Sequence, residues 1–401
     1  MDDGVIVVGA GPVGLTAAYL LGTRGIPFTL IAAEPVLASD LRASTFHPPT
    51  LDLLDTLGLA EPLVAQGLRS PTWQIRLHET GEKAEFDLTA IAADTRHPFR
   101  LQCEQSKLCA LLLERLQAEG RGRVLLGIRV DAVSQDEEGV TVVARPVDAP
   151  ADADPQSFTG RYLIGADGSR SVVRQDAGIA FEGKTYPETT ILATTLFPFH
   201  EHLPGLSNVN YVWKEGGTFS LLRLPNLWRC SLYPDHDETV EDGLRPESIA
   251  RKLQEIAPSD AGHEVLETRP YRIHMRIADD YRKGRIVLAG DAAHVNSPSG
   301  GMGMNGGVHD AFELVATLSE IWKGAPIDLL DRYTRRRKPI AEQEVLAQAD
   351  RNRARMQERD GDKRREMLTA LQKTAGDPVA AREHLLRSSM IAGLRRAAVI
   401  D

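Results

Sequence analysis

Cysteine is nearly absent from this 401-residue chain, which holds only Cys103, Cys109 and Cys230. An odd number of thiols with no C-x-x-C pair excludes a disulfide framework and argues against zinc or thiol redox work. A reducing, cytoplasmic setting follows as the expectation. No apolar run approaches the ~18 residues that a bilayer-spanning helix needs, so no membrane role is expected. Asp2 and Asp3 stand where a secretory leader would be basic, and the first apolar stretch runs straight into glycines. No G-x-S-x-G elbow supports a hydrolase. The formal charge of −9 argues against nucleic-acid binding. That charge is uneven, because residues 331 to 401 hold 17 Lys or Arg against 11 Asp or Glu. The two signs are interleaved there, the pattern of solvated helix faces rather than a binding tail.

What remains is ordinary in bulk, with 42% apolar and 26% charged residues, so the chain folds. Its length implies two or three units. Val5 to Val8 reads as a buried strand, Leu15 to Leu21 as a helix closed by Gly25, and Phe28 to Ile31 as the next strand. Helical spacing recurs over Pro49 to Leu57 and Lys107 to Gln117. Residues 73 to 88 alternate like strands. Val124 to Leu126, Val130 to Val133 and Val140 to Val143 read as a meander, with Asp136 to Gly139 as its turn. Pro146 to Pro155 reads as an exposed loop. From 181 to 267 short β-like runs lie between Pro, Gly and His, which predicts an inserted antiparallel sheet over the substrate.

Three motifs carry chemistry. Gly9-x-Gly11-x-x-Gly14, with Pro12 and Val13 between, links the first strand to the first helix. Its glycines allow a tight turn, a close phosphate and close helix packing. Glu34 ends the second strand, where a carboxylate can accept both ribose hydroxyls. The second motif, Gly165-Ala166-Asp167-Gly168-Ser169-Arg170, is an apolar strand entering an Asp-Gly turn. The third, Gly290-Asp291, leads to Pro298-Ser299-Gly300-Gly301-Met302-Gly303-Met304-Asn305-Gly306-Gly307 and a helix from about Gly307 to Ile321. Backbone N–H groups before that helix suit an anion or an electron-rich ring. Singly, Asp167 and Asp291 also fit turn residues or helix caps.

In this order and spacing the trio resembles the class A flavoprotein monooxygenases, the aromatic hydroxylases of the para-hydroxybenzoate hydroxylase type. The likeness covers about residues 4 to 340. It implies an α/β fold: a Rossmann-like FAD-binding domain, an inserted antiparallel β-sheet substrate domain and C-terminal helices. The units would be 1–180 with 268–340 for FAD, 181–267 for substrate and 341–401 as a helical segment, with 72–98 joining the substrate layer. By resemblance, Asp291 holds the ribityl chain, and Pro298, Gly301, Met302, Gly303, Met304 and Asn305 cradle the isoalloxazine. Asp167 and Gly168 serve the pyrophosphate and the visiting nicotinamide cofactor. Arg42, Gln105 and the backbone of Val130 complete the FAD contacts. Pro35 follows Glu34 where many relatives have Arg, which removes an arginine packed on the adenine.

The resemblance implies hydride transfer from NADH or NADPH, addition of O₂, and hydroxylation of an electron-rich phenol or hydroxylated N-heterocycle through a flavin hydroperoxide. The cofactor carries the difficult step. Tyr211 is the expected partner of the substrate hydroxyl, Arg223 of a substrate carboxylate, and His47 a further pocket residue. His294 reads as a hydrogen-bonding support, and His200-x-His202 as loop residues with no third metal ligand. A homodimer is compatible with the sequence. An epoxidase or reductase of the same fold, and a non-catalytic flavin sensor, are the rival readings. The W-x-W-x-I-P signature of flavin halogenases is absent.

Overall fold

The computed structural model describes residues 4–38, 43–150, 153–235 and 237–401. Its first sheet has six strands with Val5–Val8 inside, flanked in parallel by Phe28–Ala32 and Tyr162–Gly165. Arg123–Leu126 and Ile286–Leu288 extend it on either side, also in parallel, and Arg282–Lys283 closes one edge antiparallel. Continuous apolar strands such as Val5–Val8 suit a sheet covered on both faces. The first helix, Pro12–Thr23, starts with Pro12 at a position that needs no N–H donor. It packs against a long helix, Gly303–Trp322. A Cβ on Gly307 would lie 2.5 Å from Val13 Cγ2, so this helix contact requires glycine.

The predicted meander is corrected at its first member. Arg123–Leu126 belongs to the parallel sheet, while Ile128–Gln135, Val140–Pro146 and Gln156–Gly160 form a separate antiparallel sheet of three. A short apolar run does not encode its partner. Gly127, at φ +72°, turns the chain between the two sheets.

The second large sheet has eight strands. Its order runs from His294–Val295 through Val265–Ala278, Phe181–Thr195, Trp228–Leu232, Gly217–Arg223, Val209–Lys214 and Thr72–Leu77 to Lys83–Asp87. It is antiparallel except where Val209–Lys214 runs parallel to Thr72–Leu77, because that hairpin arrives from an earlier part of the chain. The strand Val265–Ala278 runs through residue 267, where the sequence reading ended the substrate layer. One face packs Ile191, Ala193, Leu221, Cys230 and Leu232 against Ile249, Leu253 and Ile256 of the helix Pro246–Ile256. Strand alternation turns the residues between them to the other side, toward the six-stranded sheet.

The boundary expected at residue 340 falls inside a helix. Leu330–Ile340 continues through a π-helical stretch, Ala341–Leu346, into Ala347–Gln357. Pro339 lies within this run and lacks the N–H that an α-turn would use. Gly361–Gly376, Pro378–Ser388 and Ile391–Ala398 then cover the Thr72–Asp87 hairpin, burying Leu368, Leu385 and Ile391 with Trp73, Phe86 and Trp213. Basic residues fix this cover. Arg382 and Arg395 both reach Asp94, and Arg364 donates to the carbonyls of Lys214 and Gly217. Among the described residues no helix is long and apolar enough to cross a membrane.

Candidate active site

The three glycine-and-aspartate turns lie at the carboxyl ends of adjacent parallel strands, the edge where open α/β sheets bind ligands. Val8 pairs with Gly165, and Gly165 with Leu288. Ala166 N donates to Val8 O at 2.9 Å and Ala289 N to Gly165 O at 2.9 Å, so each turn is positioned by the strand beside it. Arg174 ties the second turn to the third, donating to Ser169 O at 3.0 Å and Ala292 O at 2.9 Å.

The first turn's glycines have separate duties. A Cβ on Gly9 would meet Ala166 O at 2.3 Å, and one on Gly14 would meet Gly9 O at 2.0 Å. At Gly11 a Cβ would meet nothing within 4 Å. That open face points into a cavity of about 720 Å³, where Gly9, Gly11, Pro12, Val13 and Glu34 line one end. A dinucleotide phosphate fits the space that a side chain would fill, at a helix start whose cap leaves its N–H groups free. Gln105, Val130, Asp167, Gly168 and Asp291 also stand on the wall. Gly14 does not, since its work is packing. Arg42 lies outside the described residues. Asp167 also braces a helix start whose cap is Ser171: its carboxylate accepts from Ser171 Oγ at 2.6 Å and from Val173 N at 3.3 Å, while burial pushes its pKa up.

Farther along, Pro298, Gly301, Met302, Gly303 and Met304 form the wall. The helix begins at Gly303 rather than near Gly307, so its first turn is itself glycine-rich. Asn305 stands behind the wall and fastens it. Its Nδ2 donates to Thr45 O at 2.8 Å and Gly301 O at 2.7 Å, and its Oδ1 accepts from His47 N at 2.9 Å. His47 is also behind the wall, with Nε2 2.8 Å from Gly300 O. Burial, helped by the Arg100 cation, holds its pKa down to about 3, so it is a neutral brace.

The remaining wall is the free face of the eight-stranded sheet, and strand register sets its contents. One row crosses five strands as Arg269, Leu192, Ser231, Ser220 and Tyr211. The next holds Glu267, Thr194, Arg229 and Leu222. All of these line the cavity. The Glu267–Arg269 ion pair is partly exposed at one end, while Tyr211 marks the other. Arg223 is a correction. One residue beyond Leu222, it turns to the opposite face, lies 5.9 Å over the Trp228 ring and is not on the wall. Arg229 occupies the wall instead, donating to Ser44 Oγ at 3.3 Å.

A family model described as an FAD binding domain matches residues 2–348. Para-nitrophenol 4-monooxygenase from Pseudomonas sp. (strain WBC-3) is 32% identical over 98% of this chain and 97% of its own. The 6-hydroxy-3-succinoylpyridine 3-monooxygenase HspB of Pseudomonas putida is 34% identical over 85% of this chain and 86% of its own. The crystal structure of p-nitrophenol 4-monooxygenase PnpA from Pseudomonas putida DLL-E4 superposes with a TM-score of 0.90 at 29% identity, covering 98% of both chains. The chain belongs to the FAD-dependent aromatic monooxygenases, the class A flavoprotein hydroxylases.

Several residues of this monooxygenase follow no sequence motif. Thr190 and Thr194 are buried on the cavity wall; Thr190 faces the Tyr233 hydroxyl, and the Thr194 hydroxyl has no hydrogen-bond partner among the described residues. Tyr271, also on the wall, is pushed up to about 12 by burial and the nearby Asp291 charge. Only strand alternation could have signalled them. His294 is a support: its Nε2 lies 2.7 Å from Asp310, whose other oxygen accepts from Arg337 Nε at 2.7 Å. All three are fully buried, and Asp310 also accepts from Gly290 N at 3.1 Å, fixing the third turn. His200 and His202 lie in a short helix, Phe199–His202, and no metal-binding cluster occurs among the described residues.

Proposed function

We propose that this FAD-dependent aromatic monooxygenase hydroxylates a single-ring phenol or hydroxypyridine whose oxygen points at Tyr211. The carrying observation is the row of Leu192, Ser231, Ser220 and Tyr211, a floor that ends on a phenolic hydroxyl at the end of the cavity away from the Glu267–Arg269 pair. One cavity of about 720 Å³ takes both FAD and substrate. The dinucleotide uses most of it, which favours one ring over a fused system. Relatives named for nitrophenol and hydroxypyridine substrates support the same class.

Gly9, Gly11 and the first helix start would hold the pyrophosphate, Glu34 the ribose and Asp291 the ribityl chain. The 301–304 backbone would border the ring system. Bound FAD supplies hydride acceptance and O₂ activation, with NADH or NADPH as a transient co-substrate. The protein's part is placement and dryness. Tyr211 donates its O–H to the substrate oxygen, while Leu192, Leu222, Met302 and Met356 exclude water from the reacting carbon. We read the protein as cytoplasmic and compatible with a homodimer.

The test is a panel of phenolic acids, nitrophenols and hydroxypyridines, scored for stimulated NADH and NADPH oxidation and for a product one oxygen atom heavier. Tyr211→Phe should lower the hydroxylation rate of bound substrate by about 10²–10⁴-fold if the hydroxyl assists proton transfer. An unchanged rate across neutral pH removes Tyr211 from that role.

A further inference from the structure

Among the described residues Asp310 is the only wholly buried acid, and it lies directly behind the cavity wall. One oxygen accepts from Gly290 N at 3.1 Å, next to Asp291 on the wall, and lies 2.7 Å from His294 Nε2. The other accepts from Arg337 Nε at 2.7 Å. Arg337 is 1% exposed and also donates to Gly306 O at 3.3 Å, in the first turn of the helix whose start, Gly303 and Met304, forms the wall. No water layer separates these parts: a Cβ on Gly307 would lie 3.0 Å from Gly290 Cα. The cation comes from the helix Leu330–Ile340, which contributes nothing else to the cavity.

The pair carries the local charge. Burial alone would raise the Asp310 pKa, but Arg337 and His294 outweigh it and hold the carboxyl below its usual range. Burial pushes Tyr281 and Tyr333 well above the ordinary phenol range, and it holds His309 down to about 3, so all three are neutral near pH 7. Glu342, the other acid facing Tyr281, is exposed, where water and salt screen it. Either member alone would be an uncompensated buried charge, and its field would reach the cavity through a dry interior.

We propose that Arg337 is a positioning residue for the reduced cofactor: its cation cancels the Asp310 charge behind the ring cradle, so that reduction adds negative charge against a neutral wall. This rests on the assignment of the 301–304 backbone to the ring system. A hydride brings two electrons and one proton, so the loaded cradle gains one negative charge. An unpaired Asp310 would oppose that gain, and an unpaired Arg337 would favour it. Asp310 is needed in its own right to hold Gly290 and the third turn, and Arg337 makes its charge harmless.

The test is the midpoint potential of FAD bound to the enzyme, with FAD affinity measured beside it. Asp310→Asn should favour reduced over oxidised FAD by at least about tenfold, which is about 30 mV upward on a two-electron potential. Arg337→Gln should move it downward by at least as much. The double variant should return to within about threefold of the wild type. Shifts of both single variants in the same direction overturn the proposal, as do two unmoved potentials. If one single variant fails to retain FAD, the sign of the other decides. If both fail, the double variant decides: retention of FAD supports charge cancellation, and loss overturns it. Asn305→Ala loosens the Gly301 turn without a change of charge and should weaken both redox forms alike. Full FAD retention by that variant fails the cradle assignment itself; weakened retention with unmoved potentials in the charge variants overturns only the role of Arg337.

Discussion

Gly11 and Gly14 stand three residues apart and fail in different ways when replaced. A side chain at Gly14 collides with Gly9 O inside the protein, whereas one at Gly11 enters open space. Gly14→Ala should therefore lower stability by about 1–3 kcal/mol, the usual cost of overpacking, measured by urea unfolding. Gly11→Leu should leave unfolding of the FAD-free protein unchanged and weaken FAD binding by at least about tenfold, since it fills the phosphate cradle. Equal losses of stability in the two variants would contradict the assignment. His309 offers a pH test. It is fully buried, 2.8 Å from Thr50 Oγ1, and burial, helped by the Arg337 cation, holds its pKa down to about 3. The unfolded state therefore takes up a proton near pH 6.5 that the folded state refuses. Stability is fully present above 6.5 and falls as pH drops toward 3. His309→Gln should remove about 1.4 kcal/mol per pH unit from the slope of unfolding free energy well below pH 6.5.

Between elements, the decisive fastening is Asn305, which joins the Gly303–Trp322 helix to the segment around His47 by two hydrogen bonds to backbone and holds Gly301 O by a third. Asn305→Ala leaves those buried groups without partners and should cost about 1–3 kcal/mol or more. Lower FAD retention should accompany the loss, because the Gly300–Gly301 turn is no longer held; calorimetry with flavin absorbance checks both. The same scale shows what the sequence made legible. Each nucleotide-binding turn is a continuous string, so its strand, turn and helix start can be read locally. The eight-stranded sheet is different. Which residues face the cavity depends on register, and one position separates Leu222 on the wall from Arg223 off it. His47 looked like a pocket residue because it follows Arg42, yet the start of the Pro48–Asp55 helix turns it behind the Gly300 loop.

Across the molecule, two sheets with different jobs enclose one cavity. In the proposed assignment the parallel sheet presents its carboxyl edge to the dinucleotide, and the mixed sheet offers a floor of polar and apolar residues to the ring. The long strands Phe181–Thr195 and Val265–Ala278 join them, paired from Phe181–Ala278 to Thr195–Val265. The C-terminal helices close the far side, held by Asp94 and by Trp213 Nε1 donating to Arg355 O at 3.0 Å. This arrangement makes sense for chemistry in which two bound molecules must meet away from water. The most direct measurement is the mass of the product formed by the FAD-loaded enzyme from a phenol, NADH or NADPH and isotopically labelled dioxygen. One labelled oxygen atom on the ring, with reductant consumption that depends on the phenol, is the predicted result. A product carrying unlabelled oxygen from water, or reductant oxidation indifferent to every phenol and hydroxypyridine supplied, would contradict the account.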